Sequence, residues 1–515
     1  MVLCTACQGR DEETRVRVAY CSILEGEGCL ACKEDMQLEQ KIQELQERRR
    51  KLRTKMNENH DSFVLKLPPE VSSYIFLLSM GEQDTCQIAC DEECLPTPFL
   101  LGAVCSGWRQ LARSTPALWT RLAFTLPLPG SEIMEDLPDL VADWLERSGG
   151  MPLALKVSLP TTYDDPPLDI GHAPVIDALN QHSRRWCDVE FNLPSDYIGR
   201  LCGSSPPEKL RDLSINADVD DEHIRPLTFR WNARPGPTKF KIWGFLLEGV
   251  DVAWGNLVHL NLSCTTFDGV LQVIRDAPLL EMCSLSFISP AMDKYRIPEI
   301  IIRHPYLRTL HLLCIEQTDV LPKLINSLEL PSLESWTVEF IEWGESAVLD
   351  ILTSFLKRSG CNLKILNIEQ NRAPAVEDFA RFLQAAPCLQ HLRVTRPPYD
   401  SSWTPVMDNI LERISASPAM QTGHTAGFLS DLQSLQLFGC KLNAWACIPL
   451  IFQLPHRKLL KLDINMDSVT IGDDLLEELV QLVDQGIELD IYDRSRNKQG
   501  FLQLFREGAT AESRD

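Results

Sequence analysis

From Leu257 to Ile464 one pattern recurs along the chain. An apolar residue is followed after two positions by a second, and after one more by a third. It stands at Leu257-Leu260-Leu262, Leu307-Leu310-Leu312, Leu333-Trp336-Val338, Leu363-Leu366-Ile368, Leu389-Leu392-Val394, Leu432-Leu435-Leu437 and Leu459-Leu462-Ile464. Weaker copies are Leu210-Leu213-Ile215 and Leu280-Cys283-Leu285, and Phe240 and Ile242 fill the last two places of another. From Leu257, with the copy at Leu280 included, the steps are 23, 27, 26, 30, 26, 43 and 27 residues. Alternation inside each triplet predicts a short strand with one buried face. Between triplets the spacing turns helical, as at Val348-Ile351-Leu352-Phe355-Leu356 and Val376-Phe379-Ala380-Leu383. Turns at Ala277-Pro278, His304-Pro305, Leu330-Pro331 and Ala386-Pro387 then stop the helix and hand the chain to the next strand.

No unit of this kind buries its apolar face alone; stacking joins the faces into one core. The period predicts an α/β solenoid of degenerate leucine-rich repeats over residues 140–500. The 43-residue step must hold an insertion, and Arg396-Pro397-Pro398-Tyr399-Asp400 marks where a loop leaves. Residues between the triplet positions face solvent on the sheet: His259, Asn261, Thr309, His311, Ser335, Thr337, Asn367, Glu369, His391, Arg393, Ser434, Gln436, Lys461 and Asp463. This polar, heterogeneous face is the candidate surface for a protein target.

Three other patterns precede the repeats. Residues 1–33 carry Cys4-x-x-Cys7 and Cys29-x-x-Cys32 in polar surroundings. Residues 34–60 are highly charged, with Leu38, Ile42, Leu45, Leu52 and Met56 on a heptad seam that only Arg49 interrupts. A short coiled-coil-like helix is expected there, folded back on the domain behind it or solvated rather than dimeric. Residues 63–125 are apolar at helical spacing. Leu67-Pro68-Pro69-Glu70 starts a helix, because proline is tolerated in the first turn and Glu70 complements the dipole. Val71, Ile75 and Leu78 form a stripe with Phe76 beside it, and a later helix places Val104, Trp108, Leu111 and Ala112 on one face. A polar tail, 501–515, closes the chain.

The order Leu-Pro-Pro-Glu-Val from Leu67, Val-Cys-Ser-Gly-Trp-Arg-Gln-Leu-Ala from Val104 and Pro-Ala-Leu-Trp from Pro116 resembles an F-box. The wider layout is similar to fungal-type F-box-like proteins with C-terminal leucine-rich repeats. It includes Trp144-Leu145-Glu146-Arg147-Ser148-Gly149 and His182-Ser183-Arg184-Arg185-Trp186. The resemblance implies that a small all-helical module docks a Skp-type adaptor, and through it cullin and RING subunits. It assigns the docking surface to Leu67, Pro68, Pro69, Val71, Ile75, Val104, Cys105, Trp108 and Leu111. One departure is the acidic, cysteine-containing insert from Gly81 to Pro98, where F-boxes have a shorter link.

Composition narrows the function further. Lys+Arg 50 against Asp+Glu 72 leaves a net charge of −22, which argues against nucleic acid and anionic membranes as partners. The opening residues turn polar at once, and no apolar run nears the ~18 residues of a membrane span, so a cytoplasmic or nuclear location is expected. The 18 cysteines are then expected as thiols. Cys4, Cys7, Cys29 and Cys32 could offer four thiolates to a structural zinc, although their separation slightly exceeds the usual range. No other cofactor is required. Phosphate-loop, zinc-protease and nucleophile-elbow motifs are missing, so no catalytic residues are assigned and no enzyme is expected. The expected function is the substrate-recognition subunit of a cullin–RING ubiquitin ligase. The alternative is a repeat scaffold whose F-box-like helices cap the solenoid without a role in ubiquitination. A zinc-dependent regulator built on the cysteine pairs is a third reading.

Overall fold

The computed structural model describes residues 30–60, 63, 66–80, 87–88, 97–127, 133–159, 172–216, 234–244, 247, 250–289, 301–313, 320–340, 347–370, 372–395, 401–416, 427–439, 441–466 and 469–493. The chain divides into two compact units. One comprises Met1–Asp84 with Glu93–Trp119, the other Thr85–Glu92 with Thr120–Asp515.

The first unit is helical: α1 (Leu30–His60), α2 (Pro69–Ser79), α3 (Thr97–Val104) and α4 (Ser106–Arg113), then a 3-10 turn at Pro116–Trp119. The start signal at Leu67 holds, with Pro69 in the first turn of α2. Three rings lock the unit. Phe63 stacks on Phe76 at 5.7 Å between centroids, and Trp108 lies 5.0 Å from each. Trp119 closes the other end, its indole donating to the Ala112 carbonyl at 2.8 Å with Phe99 edge-on at 5.6 Å.

α2 buries Ser72 and Phe76 and leaves the Val71-Ile75-Leu78 stripe exposed. One sequence expectation changes here. The continuous helix expected through Val104 and Trp108 is broken. Cys105 takes an extended conformation, and its thiol accepts the Trp108 N–H at 3.4 Å as the cap of α4. Val104 therefore ends one helix, and Trp108 sits in the next.

In the second unit fifteen strands among the described residues form one parallel sheet in chain order, interrupted only where β9 and β11 pair separately. The strands are β1 (Gln87–Ile88), β2 (Arg121–Thr125), β3 (Leu153–Ser158), β4 (Trp186–Asn192), β5 (Asp212–Asn216), β6 (Lys239–Trp243), β7 (His259–Ser263), β8 (Met282–Ser286), β9 (Ile302–Arg303), β10 (Thr309–Leu313), β11 (Leu328–Glu329), β12 (Ser335–Phe340), β13 (Ile365–Gln370), β14 (His391–Thr395), β15 (Ser434–Phe438), β16 (Lys461–Met466) and β17 (Leu489–Asp493). Each strand pairs in parallel with its neighbour. Helices recur between strands, among them α8 (Phe267–Asp276), α10 (Ala347–Ser359), α11 (Val376–Gln384) and α12 (Thr404–Ser415), where the preceding helices are α5 (Ile133–Arg147), α6 (Ala173–Gln181), α7 (Ser195–Ile198) and α9 (Val320–Asn326).

The register explains the repeat. The middle triplet residues stand side by side from Leu213 through Phe240, Leu260, Cys283, Leu310, Trp336, Leu366, Leu392 and Leu435 to Leu462. All are buried, as are the third-position residues from Ile215 to Ile464. One triplet needs correction. Leu459 is 91% exposed, and Leu460, 2% exposed, fills the core position instead. Its amide bonds to the Arg457 carbonyl in a tight turn, so the link into β16 is one residue shorter than elsewhere.

The sheet also starts earlier than expected. Residues 121–125, read from sequence with the helical block, are β2, and β1 comes from within the Gly81–Pro98 insert. Thr97 and Pro98 of that insert open α3, and its remaining residues, like the loop at Arg396–Asp400, lie outside the described residues. The extra length of the 43-residue step falls mainly after the helix: 416–433, between α12 and β15, is three times as long as 385–390, between α11 and β14.

One polar contact joins two distant motifs inside this unit. Arg185 donates to the Leu145 carbonyl and the Ser148 hydroxyl, each at 2.8 Å, and to the Gly149 carbonyl. A cation thus satisfies the Leu145 carbonyl in the last turn of α5 and the Gly149 carbonyl just past it, where the helix dipole is negative. Arg185→Ala should lower the free energy of unfolding by about 2 kcal/mol, measured in urea.

Candidate functional site

Two surfaces offer themselves, one on each unit. On the first, the exposed side of α2 and α3 is apolar. Val71, Ile75 and Val104 are exposed, with Pro68 and Pro69 at the helix start and Leu67 half-buried. Tyr74, Leu78 and Leu100 are exposed too, Leu78 at 66%, and the sequence-derived docking set omitted all three. The spacing signal was present, since Leu78 continues the Val71-Ile75 stripe and Tyr74 precedes Ile75. Three expected docking residues turn inward instead. Leu111 is 8% exposed and belongs to the core, because α4 packs that side against α2. Trp108 is half-buried in the aromatic trio, and Cys105 caps α4. Leu111 thus belongs to the core, while Trp108 and Cys105, both half-buried, also hold the helices together.

On the second unit the outward positions form rows running across the strands. One row contains His259, Met282, Thr309, Ser335, Ile365, His391, Ser434 and Lys461 in succession. The next contains Asn261, Ser284, His311, Thr337, Asn367, Arg393, Gln436 and Asp463. The register therefore brings the expected target-facing residues together and adds Met282 and Ile365, whereas Ser284, in line with them, is buried. Glu369 lies one row further along, between Glu339 and Thr395.

That third row was not foreseen. It carries Trp243 in line with Ser263 and Ser286. The residues just past these strands, Gly244, Cys264 and Phe287, have positive φ, as does Gly439 after β15. Each donates its amide to the next strand, so the chain leaves the sheet by the same left-handed turn. At Phe287 that turn carries an exposed ring 6.1 Å from exposed Trp243.

Charges on the face are arranged in local groups. Arg393 lies 4.7 Å over the Phe438 ring. Burial, then Glu339, raises the Glu369 carboxyl above its ordinary range while Arg393 opposes both. Burial, then Asp490, raises Asp463 in the same way, again against Arg393. His311 is lowered by burial. Glu190 behaves differently. Burial is the largest influence and pushes it up, but Asn192 and Lys156, at 3.0 Å each, together with Lys241, bring it below its ordinary value.

A raised acid means that the folded state disfavours the ionised form. Asp463→Asn should therefore raise the urea midpoint at pH 7. The gain should fade as pH falls through the carboxylate range, where the unfolded aspartate also becomes neutral. Matched urea titrations at neutral and acid pH check this.

The cysteine expectation falls largely outside the described residues. Cys4, Cys7 and Cys29 lie there, and only the backbone of Cys32, in α1, is described. Among the described residues no group of histidine, cysteine, aspartate and glutamate could hold a metal ion. No described helix is long and apolar enough to cross a membrane.

Neither a family model nor a curated protein matches this chain. Among solved structures, internalin C2 from Listeria monocytogenes is similar over 44% of this chain and 76% of its own, at 14% identity and a TM-score of 0.23. The fold reading rests on the sheet itself: parallel strands in chain order, one apolar triplet per unit, helices between. It is consistent with a leucine-rich-repeat-like solenoid.

Proposed function

We propose that this protein is a substrate receptor of a cullin–RING ubiquitin ligase. Its first unit docks a Skp-type adaptor in the manner of an F-box, and its sheet face binds a protein target. The observation that carries this reading is the position of the apolar residues on α2 and α3. A helix normally turns its apolar stripe to the core. Here Phe76 and Ser72 face the core, and Val71, Ile75 and Leu78 stay in solvent. A cluster of this kind, next to proline and rimmed by polar residues, marks an interaction site. The F-box-like order of the surrounding residues supports a Skp-type adaptor as the partner.

In this reading the chain performs no bond-making step. It holds a target near a ubiquitin-loaded enzyme, and the rate gain comes from effective concentration. The outward rows give the target a long polar face with local aromatic and charged spots. Mixing the full chain with a purified Skp-type adaptor, followed by size-exclusion chromatography, tests the proposal. Co-elution is expected. Separate elution of two folded proteins at micromolar concentration would remove the ligase reading and leave the repeat face as a scaffold.

A further inference from the structure

Among the described residues nothing covers the heptad seam of α1. Leu38, Ile42, Leu45, Leu52 and Met56 are between 47% and 59% exposed, although they lie on one side of a 31-residue helix. Such a helix is about 46 Å long. Phe63, three residues past its end, packs with Phe76 of α2 and Trp108 of α4. The seam itself is left open.

Charge selects what covers it. From Glu34 to Glu47 the helix holds five acidic residues against one base, Lys41. From Arg48 to Lys55 it holds six bases and no acid. The helix is thus an acidic half followed by a basic half, which makes it complementary to a reversed copy of itself. We propose that α1 pairs with α1 of a second copy of this chain as an antiparallel coiled coil.

The heptad positions agree. Leu38, Leu45 and Leu52 occupy d, while Ile42, Arg49 and Met56 occupy a. In an antiparallel pair a meets d. Leu38 then faces Met56 of the other copy, Ile42 faces Leu52, and Arg49 faces Leu45, where its stem covers apolar surface and its head reaches water. A parallel pair would stack Arg49 on Arg49 inside the seam. It would also set Glu34 against Glu39 and Arg48 against Arg53 along the flanks, all of like charge. The antiparallel flank places Glu39 against Arg53. Its unfavourable contacts are Lys41 near Lys55 and Arg48 near its own copy, at solvent-exposed positions where repulsion is screened. Pairing would give one assembly two docking units and two recognition faces, and so multivalent capture.

The test uses the full chain. Sedimentation equilibrium at micromolar concentration should report twice the chain mass of 58.3 kDa. Leu45→Glu should weaken the dimer about 100-fold, because it brings two unpaired carboxylates into the seam. The melting temperature of the folded units should not move, since Leu45 is exposed in the single chain. Direction is read by mixing Ile42→Cys and Leu52→Cys chains under mild oxidation and mapping disulfides by mass spectrometry. A 42-to-52 link between copies is expected. A monomer in the first measurement, an unaltered dimer with Leu45→Glu, or a 42-to-42 link in the last would each overturn the proposal.

Discussion

Trp336→Ala is expected to destabilise the repeat unit by about 3–5 kcal/mol. Trp336 is fully buried on β12 and is the largest side chain in the middle triplet row. It meets Phe355 of α10 edge-on at 5.2 Å and Phe382 of α11 at 6.3 Å. One side chain thus couples a strand to two successive helices. In a stacked array stability resides in such neighbour contacts, so the loss should spread to adjoining repeats. Alanine would leave a cavity that the surrounding rings cannot fill without leaving their own partners. Trp336→Phe is the informative contrast. The indole nitrogen is buried with no hydrogen-bond partner among the described residues. Phenylalanine removes that unpaired donor while keeping most of the ring, so its cost should be a small fraction of the alanine cost. Urea unfolding of both variants checks the pair. Equal losses would contradict this view of the core.

The second large effect is functional. Val71→Glu with Val104→Glu should weaken adaptor binding about 100-fold, since each change would bury an unpaired carboxylate at the interface. Both positions are exposed, so the unfolding midpoint should stay within the range of ordinary surface substitutions, about ±0.5 kcal/mol. Leu111→Ala is the control with the opposite signature. Leu111 is buried, and its loss should lower stability first and capture only as a consequence. Calorimetric titration with the adaptor and a melting curve, made on each variant, separate surface from core.

The repeats were legible in the sequence because leucine recurs at nearly every first position. That legibility ended where other residues serve. Trp186-Val189-Phe191 follows the triplet spacing and forms β4, yet the tryptophan hid it from a leucine-based reading. Trp119-Leu122-Phe124 has the same spacing and was absorbed into the helical block, although Leu122 and Phe124 lie on β2. At β16 the spacing selects Leu459, three residues before Leu462, but the turn at Arg457 shortens the link by one residue and buries Leu460 instead. The third outward row lies past the last triplet position. Whether Trp243 and Phe287 meet depends on left-handed turns that Cys264 and Phe287 do not advertise as glycine would.

In the first unit the helix start at Leu67-Pro68-Pro69 was readable from proline chemistry alone. Which side of α2 turns inward was not. Both sides are apolar, and the choice was made by Phe63 and Trp108, which stack on Phe76 from distant parts of the sequence. The residues that the F-box resemblance assigns to docking accordingly divide between exposed and inward positions. Leu111 lies in the core and Trp108 is half-buried, while Tyr74, Leu78 and Leu100 are exposed.

Hydrogen–deuterium exchange of the full chain, with and without a Skp-type adaptor, tests the central claim most directly. The adaptor should slow exchange in Pro69–Ser79 and Thr97–Val104, the helices that carry the exposed apolar residues. The strands from β7 to β16 should be unaffected, leaving their outward rows open to a target. Unchanged exchange in both helices at saturating adaptor, or protection confined to the strands, would contradict the claim that the first unit is the adaptor's docking site.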